Sequence, residues 1–139
     1  MGLLNATIAH ADGDPDIHIL NNFNNVGAIE VNAFQSHADV VVQKSTREGF
    51  GLTVSEAIWK AKPFIGGDVG GIPLQVEDGV TGYLVSSAEQ CAVRAQEILS
   101  DPELGKALGR RGKEHVRAHF LTPRYLRDYL KIFTELARS

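Results

Sequence analysis

Glu48 and Glu56 flank a glycine-bearing turn in the stretch "REGFGLTVSEAIWKAK" (47–62), eight positions apart. An ionised carboxylate only accepts hydrogen bonds, so it suits a ligand rich in hydroxyl groups. The turn between the two acids suits a different chemistry. It follows an apolar run at 39–43 and leads into a helical pattern that begins near Gly51 or Leu52, so it presents the unpaired N–H groups of a helix start. These groups carry the positive end of the helix dipole and form an anion site. Gly49 and Gly51 lack a Cβ and let a ligand approach the backbone closely. The dipole contributes about 0.3–2 kcal/mol, which positions an anion without holding it alone. A carboxylate is a poor neighbour for a phosphate unless it serves another part of the ligand. Two hydroxylated groups separated by a diphosphate, as in a nucleoside-diphosphate sugar, would occupy the acids and the turn together. Local structure accounts for the same residues in another way. Thr53, Val54, Ser55 and Glu56 spell a capping box in which Glu56 closes its own helix. Glu48 beside Arg47 spells an exposed ion pair worth under about 1 kcal/mol. Both accounts stand on the residues alone.

Other chemistry-bearing residues read as structural. "ADGDPD" (11–16) imitates an Asp-x-Asp pair, but a calcium loop starting at Asp12 needs Gly and Glu where Ile17 and Phe23 stand, so it is a turn. His115 and His119 are four apart in "HVRAH", without the glutamate of a zinc-binding helix, and no metal is expected. "GGDVGG" (66–71) does not follow the G-x-G-x-x-G pattern. Trp59 reads as a packing residue, and Cys91, with no evident base nearby, as an inert thiol.

The elements that must position the turn follow from periodicity. Four short apolar runs read as strands: 17–20 ("IHIL"), 39–43 ("DVVVQ"), 63–67 ("PFIGG") and 82–86 ("GYLVS"). Helical patterns lie between them. One places Ile29, Ala33 and Phe34 on a common face, and another does so with Val54, Ala57, Ile58 and Ala61. Alternating strands and helices imply a parallel sheet covered on both sides. The last third is helical, with a capping box expected at Ser86 and Glu89, and N-caps expected at Asp101 before Pro102 and at Thr122 before Pro123. The stripe Leu126, Tyr129, Leu130, Phe133, Leu136 and Ala137 is expected to pack on the sheet or on its neighbours, and Arg110, Arg111 and Lys113 to face water.

Bulk composition bounds the function. The chain has 139 residues, 43% hydrophobic and 22% charged, which suits one soluble α/β domain. A net charge of −3 excludes a basic nucleic-acid footprint. No run approaches a membrane span, the start does not read as a secretory signal, and the single cysteine forbids an internal disulfide. A cytoplasmic location is the expectation.

The segment "ADVVVQKSTREGFGLTVSEAIWKAKPFIGGDVGGIPLQVEDGVTGYLV" resembles the C-terminal domain of retaining family-4 glycosyltransferases of the GT-B fold. Glu48 and Glu56 match the family's E-x7-E motif, and 62–85 matches the two following strands with their glycine loop. Within the family, the look is that of glycosyltransferring trehalose synthases: Leu74 and Gln75 follow the "GGIP" proline, and Lys44 precedes Ser45. The resemblance implies a partial Rossmann-like fold: a parallel sheet with helices on both faces and a helical C-terminal cover. Residues 1–16 would be a lead-in and 17–139 a truncated nucleotide-sugar-binding domain. Glu48, the catalytic candidate, would contact the donor hexose. Ser45, Gly49, Phe50, Gly51 and Leu52 would line the sugar and diphosphate, Glu56 would take the ribose, and Asn22 and Phe23 would lie near the base. The implied reaction is glucose transfer from NDP-glucose to glucose, with no cofactor beyond the donor. The alternative is a non-catalytic module that self-associates or binds nucleotide sugars.

The resemblance also implies that an N-terminal GT-B domain and the first two strands of this one lie outside the chain, together with the Arg and Lys that normally hold the diphosphate. Donor binding would then be weak and transfer by the chain alone essentially nil. The strand at 39–43 would lose a neighbour, and two edges joining directly, a homodimer or a domain swap would cover it.

Overall fold

Phe64 and Ile65 are neighbours in sequence, are both fully buried, and belong to different core clusters. That is the signature of a strand buried on both faces, whose side chains alternate across the sheet. The computed structural model describes residues 2–138, Leu3 by its backbone alone. The chain divides into two compact units, 1–34 and 35–139.

In the first unit, helix α1 (Leu3–Ala11) ends at Asp12 in the left-handed conformation. The acidic turn that follows is tied by the Asp16 N–H donating to Asp14 Oδ1 at 2.9 Å, as a turn reading of "ADGDPD" requires. The expected strand at 17–20 does not form. Those residues are irregular, with Ile17 and Leu20 about half exposed. A four-residue apolar run becomes a strand only when a neighbour takes its backbone groups. A short 3-10 turn (Asn22–Asn24) follows, capped by the Asn21 side chain, and helix α2 (Ala28–His37) leads on into the second unit. The face expected to be apolar is open: Ile29 is 80% exposed and Phe34 53%. The buried residue of α2 is Gln35.

The second unit holds a three-stranded parallel sheet in the order β1 (Val41–Gln43), β2 (Phe64–Gly67), β3 (Tyr83–Val85). Val41 pairs with Phe64, and Ile65 with Tyr83. β1 is an outer strand bonded to β2, and Val42 stays 45% exposed, so neither edge joins the other within this sheet. On one face, Phe64 packs with Val54, Ala57 and Ile58 of helix α3 (Leu52–Trp59), Ile72 of the short helix α4 (Ile72–Gln75), and Val116. On the other, Ile65, Tyr83 and Val85 pack with Ile98 of helix α5 (Ala88–Ser100) and Leu108 of helix α6 (Pro102–His119). The α3 periodicity is therefore realised. Its C-terminus closes with Ala61 at φ 58°, the N–H groups of Ala61 and Lys62 donating to the carbonyls of Ile58 and Ala57. This is a Schellman motif with alanine at the usual glycine position.

Caps depart from expectation at two of the last three helices. Ser87, not Ser86, caps α5, accepting from the Gln90 N–H while Gln90 Oε1 accepts from the Ser86 N–H. Asp101 caps α6 as expected. Helix α7 (Thr122–Leu136) begins one residue early, with Leu121 at the cap and Thr122 already helical. The α7 stripe does not pack either. Leu126, Tyr129, Leu130, Phe133 and Leu136 are 44–66% exposed, and α7 has no buried residue. Amphipathicity states which face would be buried, whereas burial needs a facing element. Arg110 and Arg111 face water as expected, and Lys113 lies over the Trp59 ring at 5.3 Å.

Candidate functional site

β1 ends at Gln43, and the chain turns through 44–51 before α3 begins at Leu52. The N-cap is Gly51 at φ 81°, with no side-chain cap, and its carbonyl accepts from the Val54 N–H at 3.0 Å. The capping account of Glu56 therefore fails. Glu56 lies one turn into α3, exposed, and its Oε2 accepts from Gln35 Nε2 at 3.5 Å. Lys60 Nζ joins this group, donating to Gln35 Oε1 at 2.7 Å and to the Glu56 carbonyl at 3.2 Å.

Glu48 is half-buried and closely held. Its Oε2 accepts from Gln43 Nε2 at 2.6 Å and from Ser45 Oγ at 3.4 Å, and its Oε1 accepts from the Gly49 N–H at 2.9 Å. The acid thus turns to strand β1 and its own turn, not to Arg47. Three donors hold its oxygens in place as acceptors. Gln43 was not singled out from the sequence. Its signal was present: a polar residue closing an apolar run stands at the C-terminal edge of a parallel sheet, where ligands bind.

The glycine loop between β2 and α4 packs against the turn, backbone to backbone. The Gly71 N–H donates to the Gly49 carbonyl at 2.7 Å. A Cβ on Gly70, at φ 57°, would overlap the Glu48 carbonyl oxygen, and one on Gly71 would overlap that of Gly49. Glycine is needed at both positions because no side chain fits between two touching main chains. An open groove of about 500 Å³ lies beside this contact, lined by Thr46, Arg47, Glu48, Gly49, Val69 and Gly70.

Phe50 leaves the groove. Its ring sits 6.0 Å from that of Phe120, the C-cap of α6, which lies 5.7 Å from His115. Burial holds the His115 imidazole below its ordinary range, and the nearby His119 adds to this. Glu77 and the Leu74 carbonyl act against it. Leu52 projects from the helix start and is 70% exposed. The structure thus places Glu48 and Gly49 at the groove, with Ser45 bonded to Glu48 behind them and Phe50, Gly51 and Leu52 continuing the turn, and it gives Glu56 a partner, Gln35, on α2. Asn22 and Phe23 belong to the 3-10 turn of the first unit, where Phe23 is 85% exposed. Among the described residues no cluster of His, Cys, Asp or Glu forms a metal site, and no helix is long and apolar enough to cross a membrane.

A turn of this construction, at the carboxyl end of a parallel strand and against a glycine loop, can be compared with known proteins. The model for glycosyl transferases group 1 matches residues 16–115. The chain belongs to that family. A trehalose synthase of Rubrobacter xylanophilus is 59% identical over 130 residues, which cover 94% of this chain and 31% of the relative. The chain therefore spans about a third of that protein's length. Among solved structures, sucrose-phosphate synthase from Thermosynechococcus elongatus superposes with a TM-score of 0.80 at 28% identity, over 98% of this chain and 34% of that one. The pneumococcal O-GlcNAc transferase GtfA, in complex with UDP and GlcNAc, superposes at 0.68 with 29% identity, over 99% of this chain and 28% of that one. The parallel sheet and its helices are those of a GT-B glycosyltransferase C-terminal domain.

Proposed function

We propose that this chain carries the donor half of a retaining glycosyltransferase, and that residues 35–138 bind a nucleotide sugar at the 44–52 turn. One observation carries the reading: a fixed carboxylate, Glu48, lines an open groove on the glycine turn that leads into a helix start without a side-chain cap. Glu48 accepts from hexose hydroxyls, and its bond from Gln43 sets the angle at which it meets them. Gln43 Oε1, buried and without a partner, supplies a second acceptor beside it. The N–H groups from Phe50 to Leu52 face the diphosphate and stabilise the negative charge that develops on the leaving group. Arg47, at the groove wall, adds a cation. Glu56, held by Gln35, takes the ribose hydroxyls.

The name of the Rubrobacter relative supports glucose as the sugar moved and glucose as its acceptor. Transfer then requires protein corresponding to the other two-thirds of that relative. Calorimetric titration of the chain with UDP-glucose and ADP-glucose tests the binding claim. Heat is expected at millimolar donor, and its absence overturns the reading. Trehalose formation on adding the remaining part of the Rubrobacter protein tests the transfer claim.

One observation favours a second reading, in which the chain pairs with its own copy. The α7 stripe and the outer edge of β1 are both open. Sedimentation equilibrium decides it: a dimer at micromolar concentration supports self-association, and a monomer removes it.

A further inference from the structure

Gln75 is a polar residue on the apolar side of a four-residue helix. Its neighbours Ile72 and Val76 enter the core, and its own side chain is completely buried. A buried amide without partners is strongly unfavourable, so its bonds reveal what it does. Its Oε1 accepts from Ser55 Oγ, in the first turn of α3. Its Nε2 donates to the Phe50 carbonyl and, at 3.4 Å, to the Gly51 carbonyl. One amide therefore joins α4, the donor turn and α3.

We propose that Gln75 is a positioning residue that aims the anion-binding amides of the 44–52 turn. The peptide unit is planar and trans, so a carbonyl and the following N–H point in opposite directions. Holding the Phe50 and Gly51 carbonyls toward Gln75 turns the N–H groups of Gly51 and Leu52 away from it. These are two of the groups assigned above to the diphosphate, and the ligand part of this inference rests on that assignment. The Phe50 and Gly51 carbonyls can only accept, so they fix which end of the amide faces the turn, and an inverted side chain would set its oxygen against both of them.

The chemistry separates aiming from filling space. In Gln75→Glu, an ionised carboxylate still accepts from Ser55 but repels the two carbonyls. Once protonated, the acid has an O–H to donate to Phe50, and burial raises the pH at which this happens. Gln75→Met keeps the bulk and has no donor at any pH. The full chain of each variant is examined by the amide shifts and hydrogen exchange of residues 49–53, and by its affinity for UDP-glucose, from about pH 7.5 to about pH 5. At neutral pH both variants are expected to shift those amides and to weaken UDP-glucose at least tenfold. Gln75→Glu is expected to recover toward wild type as the pH falls, and Gln75→Met is not. Should Gln75→Glu fail to fold, Gln75→Met and Ser55→Ala still decide, because both must shift the same amides. Wild-type amides and affinity in Gln75→Met, or a Gln75→Glu defect that ignores pH, overturns the proposal. If the wild type itself gives no heat with UDP-glucose, the donor assignment fails, while the amide shifts continue to test Gln75.

Discussion

Gly70→Ala is the sharpest probe of the contact between the glycine loop and the 44–51 turn. Alanine at φ 57° pays for the left-handed conformation, roughly 1–2 kcal/mol. It recovers roughly 0.4–1 kcal/mol from a less flexible unfolded chain. The net conformational part is about 1 kcal/mol. The contact part comes on top. The new Cβ overlaps the Glu48 carbonyl oxygen, so the loop must withdraw, at roughly 1–3 kcal/mol for overpacking. The Gly71 to Gly49 hydrogen bond goes with it, at roughly 0.5–1.5 kcal/mol. The sum is about 2.5–5.5 kcal/mol, which at a urea slope of about 2 kcal/mol per molar shifts the midpoint down by about 1–3 M. Gly79→Ala is the matched control. It has φ 72° and nothing within 4 Å of the added carbon, so it carries only the conformational part. Urea unfolding of the two variants gives the contact energy by difference. UDP-glucose titration should show weakened binding for Gly70→Ala and none of that loss for Gly79→Ala. If the two variants unfold within about 0.5 kcal/mol of each other, the close approach of loop and turn is not a feature of the protein in solution.

Three further predictions test the site and its frame. Glu48→Gln removes a charged acceptor worth about 1.5–3 kcal/mol to a bound hydroxyl, so calorimetry should show UDP-glucose weakened about tenfold or more. Ala61→Gly relieves an alanine held at φ 58° and should stabilise the chain by about 0.5–1 kcal/mol in urea unfolding. His115 sits below its ordinary 6.5 in the folded chain, chiefly through burial. Between that lowered value and 6.5 the unfolded chain binds a proton that the folded chain does not, so stability falls as pH drops through this window. Urea midpoints across that range should rise with pH in the wild type, and the slope should flatten in His115→Gln.

The sequence by itself determined what depends on short range. The strands at 41–43, 64–67 and 83–85 were legible because their apolar runs are brief and bounded by turn residues. The α3 face carrying Val54, Ala57 and Ile58, and the Asp101 cap before Pro102, follow from spacings of a few residues. Glu48, Glu56 and the glycines between them marked a candidate site for the same reason. Tertiary structure decided the rest, because those contacts join residues far apart in the chain. Gln43 reaching Glu48, Gln75 reaching Phe50 and Ser55, and Gly70 lying against the Glu48 carbonyl all depend on how separate loops meet at the sheet's edge. The run at 17–20 and the α7 stripe mark the same boundary from the other side. Their patterns express a preference for burial, and a preference becomes structure only where another surface stands opposite.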